Sequence, residues 1–175
     1  MSAEEQVQFD LPGIVAGSGQ TSSAVFSPCR KWRYELWRRW EEGPYCMFLC
    51  LNPSTADETV DDPTVRRCIR YSQAWGYSAF VMTNIFAWRD TDPADMKKAA
   101  DPIGPENDVT LKRLAAAAGV VVAGWGNHGD HLGRSDQVRD MIPNLHYLKL
   151  TGKGQPNHPL YLKKDLIPIP WKKNT

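Results

Sequence analysis

Long apolar runs are missing from this sequence, and so is a strong excess of either charge. No stretch of about eighteen apolar residues is present, and the first residues do not show a basic segment followed by an apolar one. We therefore expect no membrane span, no secretory signal and a cytoplasmic protein. Because 21 basic residues are balanced by 20 acidic ones, any surface for nucleic acid would have to be local.

Cysteine pairs with the spacing of metal sites are also missing. The four cysteines, Cys29, Cys46, Cys50 and Cys68, include no C-x-x-C pair, and two of them lie in one apolar run. Alternate residues of a strand point to the same side, so Cys46 and Cys50 are expected to share one packing layer. Four thiolates are enough for an iron–sulfur cluster, but the spacing favours free, reduced thiols with a structural role.

Composition favours a single folded domain. The chain has 175 residues, of which 42% are hydrophobic, and this is enough for a core without disulfides. Residues 1 to 20 are rich in Gly, Ser, Gln and acidic side chains without a sustained period, which predicts a flexible N-terminal arm. We expect one α/β domain over residues 21 to 175, and a monomer.

Four short apolar runs each end at a small cluster of polar residues. Helix-like segments separate the first three runs, a pattern typical of parallel strands joined by crossovers. The carboxyl ends of parallel strands lie at one edge of a sheet, so the clusters are expected to converge on a ligand-binding crevice. The runs are Tyr45 to Leu51, Ala79 to Met82, Val120 to Ala123 and Tyr147 to Leu150, and the clusters are Asn52-Pro53-Ser54, Thr83-Asn84, Trp125-Gly126-Asn127 and Asn157-His158-Pro159.

The segments between the runs predict helices that cover the sheet. Asp62 and Pro63 are typical of a helix N-terminus, with Asp as the cap, and Gly76 is expected to end that helix. Two further helices are predicted over Pro105 to Ala118 and Ser135 to Met141. The predicted fold is a three-layer α/β/α sandwich with a short parallel central sheet and an N-terminal antiparallel hairpin.

The predicted hairpin covers residues 23 to 40, with a turn at residues 28 to 31. Its second half alternates aromatic or aliphatic residues with polar ones, and arginines stand among its tryptophans. A half-buried strand on the sheet edge with a basic outer face is favoured over a dedicated nucleic-acid platform.

Two other polar groups leave alternatives open. Arg66, Arg67 and Arg70 are expected mostly on the exposed side of the first helix, as a solvated face or as contacts to phosphates. The run from Asn127 to His131 contains two histidines without a convincing third, so a turn is favoured over a metal site. No metal and no cofactor is predicted.

The clusters also carry a family resemblance. The chain is identified as a member of a phage and bacterial family, the domain-of-unknown-function family 1643, over roughly residues 24 to 165. The motifs that carry the resemblance are Leu51-Asn-Pro-Ser-Thr-Ala-Asp57, Asp62-Pro-Thr-Val-Arg-Arg67 and Thr83-Asn-Ile-Phe-Ala87.

More distantly, the order of the strand ends resembles the uracil-DNA glycosylase superfamily. In that superfamily a first motif holds the hydrolytic water, an Asn at a later strand end contacts the base, a W-G pair closes another strand, and an H-P motif supplies the catalytic histidine. The corresponding segments here are Cys50-Leu51-Asn52-Pro53-Ser54, Val81-Met82-Thr83-Asn84, Val122-Ala123-Gly124-Trp125-Gly126 and His158-Pro159-Leu160.

This resemblance implies catalytic roles for three residues. Cleavage of an N-glycosidic bond puts negative charge on the departing base, and His158 as a neutral imidazole would donate a hydrogen bond to it. Asn52 would position the water, and since an amide cannot accept a proton, Asp57 is the expected carboxylate, with Asp61 or Asp62 as alternatives. By itself, Asn52 before proline at a strand end favours a structural turn, and Asn84 could likewise cap the segment that follows it.

The remaining predicted contacts concern the base and its surroundings. The Asn84 amide offers a donor and an acceptor to a pyrimidine edge. Ser54 stands where some glycosylases carry a bulky tyrosine that excludes 5-substituted bases, so a modified pyrimidine is an expected substrate. Three features depart from the superfamily: no carboxylate at Asn52, no obvious aromatic to stack the base, and Leu160-Tyr161 in place of Ser. The other predicted substrate-binding residues are Pro53, Phe86, Trp125, Gly126 and Asn157.

The leading functional hypothesis is a DNA glycosylase-like hydrolase that releases a uracil-like or modified pyrimidine from DNA, single-stranded or carrying a modified base. Two alternatives remain open. A non-catalytic module could recognise a base or nucleotide in the same pocket, as the amide at Asn52 suggests. A hydrolase or transferase could instead act on free nucleotides, as the weak net charge suggests.

Overall fold

The computed structural model describes residues 20–173, so the arm predicted over residues 1 to 20 lies, apart from Gln20, outside the described residues. Within them the chain forms a mixed α/β fold with one seven-stranded mixed sheet and four α-helices. Among those same residues, no helix is both long enough and apolar enough to cross a membrane.

The sheet is larger than the short parallel sheet that was expected. Its strands lie in the order β1-β2-β4-β3-β5-β6-β7, and the four central strands β4, β3, β5 and β6 are parallel. Antiparallel strands extend both sides, because the hairpin pairs with β4 and the proline-containing tail pairs with β6. The strands are β1 Thr21–Phe26, β2 Arg33–Arg39, β3 Tyr45–Cys50, β4 Ala79–Asn84, β5 Val120–Ala123, β6 Leu145–Tyr147 and β7 Ile169–Pro170.

The helices begin close to where the sequence predicts them. The Asp62 carboxylate accepts a hydrogen bond from the Val65 amide at 2.8 Å, which confirms the predicted cap of α1. The backbone turns at Gly76 with a φ of +83°, one residue after the C-cap. The helices are α1 Pro63–Ala74, α2 Pro93–Met96, α3 Asn107–Ala117 and α4 Arg134–Met141, with 3-10 turns at Asn127–Gly133 and Pro159–Tyr161.

Side chains of β3 alternate between two hydrophobic clusters. Cys46 and Cys50 pack with Cys68 of α1 on one side of the sheet, which confirms that they share a layer. Met47 and Leu49 pack on the other side with residues of α3 and α4. All four cysteines are free, and burial raises the pKa of the Cys46 thiol to about 12, as expected for a structural residue.

The hairpin is confirmed, but its second strand is not an exposed edge. β2 lies between β1 and β4, so both of its edges are paired, and five of its seven residues are buried. The prediction of a basic outer face is therefore wrong for Arg33 and Arg38, which are both buried. Arg38 forms an ion pair with Asp61 at 2.8 Å, whereas Arg33 points toward the carboxyl ends of the parallel strands, where it lines a pocket.

Candidate functional site

A pocket of about 460 Å³ lies where the central parallel strands end. In chain order the four parallel strands are arranged second, first, third, fourth, so the order reverses between β3 and β5. Open α/β sheets bind ligands at this switch point, and the volume is within the usual range of small-molecule sites. The residues that line the pocket include Arg33, Asn52, Asp62, Asn84, Asp90 and His158.

Six of the predicted site residues line this pocket. They come from the ends of three parallel strands and from the loop that follows Leu150, and they are separated by up to about a hundred positions. Cys50 at the end of β3 lies directly opposite Asn84 of β4, which brings the first two clusters together. The six are Asn52, Ser54, Asn84, Trp125, Gly126 and His158.

Three predicted substrate contacts lie outside the lining. Phe86 is fully buried, at 0% exposure, and packs in the core near His131. Pro53 is buried, and its carbonyl accepts a hydrogen bond from the Asp90 amide. Asn157 docks its loop through a backbone hydrogen bond to Lys149 at 2.8 Å. These residues shape the surroundings of the pocket without lining it.

Asp57, predicted as a catalytic carboxylate, is engaged in a turn and does not line the pocket. Its Oδ1 accepts hydrogen bonds from the amides of Thr59 and Val60 at 2.9 and 2.8 Å, and these bonds lower the pKa of its carboxyl group. The structure brings Asp62 to the pocket instead, because the cap of α1 stands at the rim.

The three arginines of α1 differ in their contacts. Arg66 and Arg70 are exposed, and Arg66 donates to the Asp61 carbonyl at 3.0 Å. Arg67 is half-buried and donates to the Leu160 carbonyl at 3.3 Å. Arg67 therefore attaches the loop that carries His158 to α1, while the other two remain available to solvent.

The chemical state of His158 follows from its contacts. Its Nδ1 accepts a hydrogen bond from the Leu160 amide at 3.3 Å, so the ring proton of the neutral imidazole sits on Nε2. Burial lowers the pKa of His158 below its ordinary value, and the nearby Asp62 carboxylate opposes this only in part. The pocket is therefore lined by a neutral imidazole whose Nε2–H is a donor.

The backbone places this imidazole at the end of β5. A Cβ on Gly124 would lie 2.8 Å from Cδ of Pro159, so only glycine lets the loop pack so closely against the strand. The Gly126 amide also donates to the Pro156 carbonyl at 2.7 Å. Glycines after β5 thus bring His158 beside the strand ends.

Asn52 is held in a fixed orientation. Its Nδ2 donates to the Asp90 carbonyl at 2.8 Å and to the Pro53 carbonyl at 3.2 Å. Because both partners accept only, the amide nitrogen must face them, and the Oδ1 is the atom left to accept a hydrogen bond in the pocket. An oriented acceptor of this kind can align a water molecule.

Asn84 is also oriented, by a residue that the sequence did not indicate. Its Oδ1 accepts a hydrogen bond from Nη2 of Arg33 at 3.2 Å. A guanidinium has only donors, so the oxygen must face Arg33 and the Nδ2 donors remain for a ligand. Asn84 was predicted to offer a donor and an acceptor to a base, but one lone pair of its acceptor oxygen is already used by Arg33.

Sequence reasoning missed Arg33 because it treated the hairpin as a surface feature. Only the neighbours of β2 in the sheet reveal that this arginine is buried. It also missed Asp90 and Thr91, which follow an irregular segment without a distinctive pattern, and it gave His128 and Tyr161 no role in the site. Asp62 was indicated by its capping position, which placed it next to a strand-end loop.

No group of three or more His, Cys, Asp or Glu residues in the described part of the chain could hold a metal ion. The two histidines of the Asn127–Gly133 turn are divided between the pocket and the core. His128 lines the pocket, whereas His131 packs near Phe86 with 5.6 Å between ring centroids. The pocket therefore presents acid, base and amide groups.

One family comparison bears on this domain. A family model described as protein of unknown function (DUF1643) matches residues 33–160. The chain belongs to the DUF1643 family. Comparisons with curated proteins and with solved structures gave no match.

The DUF1643 segment and the pocket nearly coincide along the chain. The segment begins at Arg33 and ends at Leu160, which are both lining residues. Only Tyr161 of the lining lies beyond it, by one position, with its side chain 82% exposed. The DUF1643 domain thus contains nearly all of the candidate site.

Proposed function

We propose that this pocket releases a uracil-like or modified pyrimidine from DNA by hydrolysis of the N-glycosidic bond, on a domain layered like a uracil-DNA glycosylase. The observation that carries the proposal is the neutral His158, whose Nε2–H donor shares a pocket with two oriented amides at strand ends. No cofactor is needed for this reaction, and the protein is proposed to act as a monomer.

His158 acts on the leaving group. When the bond from C1′ to the base nitrogen breaks, its electron pair stays on the base and charges a ring carbonyl oxygen. A neutral imidazole can donate a hydrogen bond to that oxygen without adding a positive charge of its own to the pocket. Such preorganised donors are commonly worth about 10²- to 10³-fold in rate.

Asn52 and Asp62 act on the water. The Asn52 oxygen accepts a hydrogen bond from the water and aligns it toward C1′. Asp62 uses one carboxylate oxygen for the Val65 amide, and its second oxygen takes the proton as the water attacks. Oxygen from water is thereby joined to the sugar, and the base leaves as an anion that solvent can protonate.

Asn84 and Ser54 set the choice of base. The Nδ2 donors of Asn84 favour a pyrimidine that presents a carbonyl oxygen at this edge. The small side chain of Ser54 lines the pocket and leaves space for a substituent at C5. Together they support a 5-substituted, uracil-like base rather than cytosine.

A second candidate is a non-catalytic module that binds a base or nucleotide in the same pocket. It is favoured by Asn52, where an amide tied to two backbone carbonyls replaces a carboxylate. A third, supported by the net charge of +1, is an enzyme that acts on free nucleotides.

The experiment that separates these functions is a panel of single- and double-stranded oligonucleotides that carry uracil or 5-substituted pyrimidines. After incubation, alkali cleaves the strand at any abasic site. Cleavage at the modified position supports the glycosylase. Tight binding without cleavage supports the recognition module, and turnover confined to mononucleotides supports the third candidate.

A further inference from the structure

Two arginines of this protein are almost completely buried, and one of them is fully paired. Arg134, at 0% exposure, forms an ion pair with Asp108 at 2.5 Å. Its Nε donates to the Ile85 carbonyl at 2.9 Å, and its Nη1 donates to Gln137 at 3.2 Å. Every nitrogen of Arg134 thus has a partner within the fold.

Arg33 lies in a different environment. It is 3% exposed, yet no carboxylate among the described residues lies within 4.0 Å of its guanidinium. Its Nη1 and Nη2 donate to the Ala56 carbonyl and to Asn84, while its buried Nε has no partner there. The charge of Arg33 is therefore balanced only by neutral groups and by Asp62 at longer range.

A buried charge without an ion pair is unfavourable for the fold alone. Burial lowers the pKa of Arg33 to about 10, so the guanidinium still carries its charge at neutral pH. It lines the pocket next to Asn84, the amide proposed to contact the base. The missing negative charge can be supplied by a ligand.

We infer that Arg33 holds a negatively charged pyrimidine, so that the pocket binds an acidic or deprotonated base in preference to a neutral one. The inference rests on the proposed function, because the base that leaves in N-glycosidic hydrolysis is such an anion. It names the ligand class more closely: pyrimidines whose 5-substituent withdraws electrons.

The geometry distinguishes this role from that of His158. The imidazole supplies a neutral donor, whereas Arg33 supplies a full charge in a site of low dielectric, where charge interactions act over longer distances. Arg33 also fixes Asn84, so its charge and the Nδ2 donors address the same edge of the ligand. Asp62 and Asp90 line the same pocket and remain available for the water and the sugar.

The test is equilibrium binding of free pyrimidines to the full chain, measured by calorimetry at a mildly alkaline pH. Uracil, 5-fluorouracil and 5-nitrouracil increase in acidity in this order, and 5-ethyluracil controls for the size of the substituent. We expect affinity to rise by about tenfold or more along the series, and 5-ethyluracil to bind no better than uracil.

Variants test whether the gradient, meaning the rise in affinity with the acidity of the pyrimidine, depends on Arg33. Arg33→Met should bind all four pyrimidines with similar affinity, and Arg33→Gln serves the same purpose if the first variant does not fold. Arg33→Lys retains the charge and should retain part of the gradient. Arg38→Met is the matched control, because Arg38 is a buried arginine of the same strand that does not line the pocket.

The binding experiment can fail or succeed independently of the test for base release from oligonucleotides. Three results would each overturn the role of Arg33. They are equal affinity of the wild type for all four pyrimidines, no binding of any pyrimidine, and the same gradient in Arg33→Met. A gradient that depends on Arg33, without base release from any oligonucleotide, would overturn the hydrolase and leave the anion site standing.

Discussion

Arg33 and Arg134 are both buried arginines, and they differ in whether the fold satisfies them. Arg134 joins α4 to Asp108 of α3 and to the Ile85 carbonyl after β4, and each of its nitrogens is engaged. Arg33 lines the pocket with an unpartnered Nε and no ion pair among the described residues. Pairing within the fold marks a residue that stabilises the structure. Incomplete pairing beside a pocket is the feature from which we infer that a ligand pairs with Arg33.

The same contrast extends to the polar groups around each arginine. Next to Arg134, the Ser135 hydroxyl donates to Oε1 of Gln155, so the polar side chains there are paired with one another. In the pocket, Asn52 and His158 each use one end of a polar group for the backbone and leave the other end to the ligand. We expect substitutions in the first region to change stability and those in the second to change activity.

The largest expected effect is on catalysis. His158→Ala should lower the rate of base release by about 10²- to 10³-fold, because it removes the donor to the departing base. The free energy of unfolding should change little, since the side chain holds only one backbone amide. His146→Ala is the control, as this histidine lies outside the pocket. Full activity in a folded His158→Ala protein would remove His158 from the mechanism.

The next effect separates the two arginines by stability. Arg134→Met should lower the free energy of unfolding by about 2–3 kcal/mol, because it breaks an ion pair and removes one of the two donors to the Ile85 carbonyl, the other being Nδ2 of Asn107. Arg33→Met removes the donors to the Ala56 carbonyl and to Asn84, but it also removes a buried charge without an ion pair, so the decrease should be smaller, about 1 kcal/mol. Urea denaturation of both variants measures the difference. Equal decreases would mean that Arg33 is as structural as Arg134.

Asn84→Asp tests the orientation that Arg33 imposes. The new carboxylate would pair with Arg33 and cancel its charge, and an ionised carboxylate offers no donor to a pyrimidine carbonyl. Binding of a uracil-like base should weaken by about 1–3 kcal/mol, the usual cost of an unpaired buried group, and cytosine should be accepted better. Relative binding of the two base types measures this. An unchanged ranking would make Asn84 a structural cap.

A smaller effect concerns the surface of α1. If Arg66 and Arg70 bind phosphates of duplex DNA, replacing both with Ala should reduce the slope of log affinity against log salt by about 0.9 for each phosphate that is no longer neutralised. Arg67→Ala should act differently, because Arg67 holds the Leu160 carbonyl. A salt titration with an oligonucleotide is the measurement. An unchanged slope would assign these two arginines to a solvated face.

The smallest effect is on the pH dependence of stability. Burial lowers the pKa of folded His158 below the ordinary value of 6.5. As the pH falls through 6.5 the unfolded chain binds a proton more readily than the folded one, so the free energy of unfolding decreases. His158→Asn keeps a capping side chain and should show a weaker decrease. An identical pH profile in both proteins would indicate that His158 is not buried as a neutral ring.

Much of the fold could be predicted because local signals were strong. The apolar run at β3 and the Asp62-Pro63 helix start depend on neighbouring residues alone. The hairpin was predicted at the sheet edge, but β7 was not, because it joins the sheet only through its long-range pairing with β6. A two-residue strand that contains proline, such as Ile169–Pro170, carries no strand signal of its own.

The site was predicted where it follows strand ends and missed where it depends on packing between strands. Asn52, Asn84 and His158 stand next to apolar runs or before proline, which made them visible. Arg33 was missed because the same alternating pattern suits an edge strand and a covered one. Phe86 was wrongly expected in contact with substrate, since the motif around it does not reveal that its side chain enters the core.

The most direct measurement of the central claim follows the oxygen of water through the reaction. The wild-type protein is incubated, in water labelled with the heavy oxygen isotope, with an oligonucleotide that carries a 5-substituted uracil. Mass spectrometry then identifies the products. Hydrolysis of the N-glycosidic bond predicts unlabelled free base and one labelled oxygen on the sugar of an otherwise intact strand. Label on a phosphate, or no free base from any substituted pyrimidine in the panel, would contradict it.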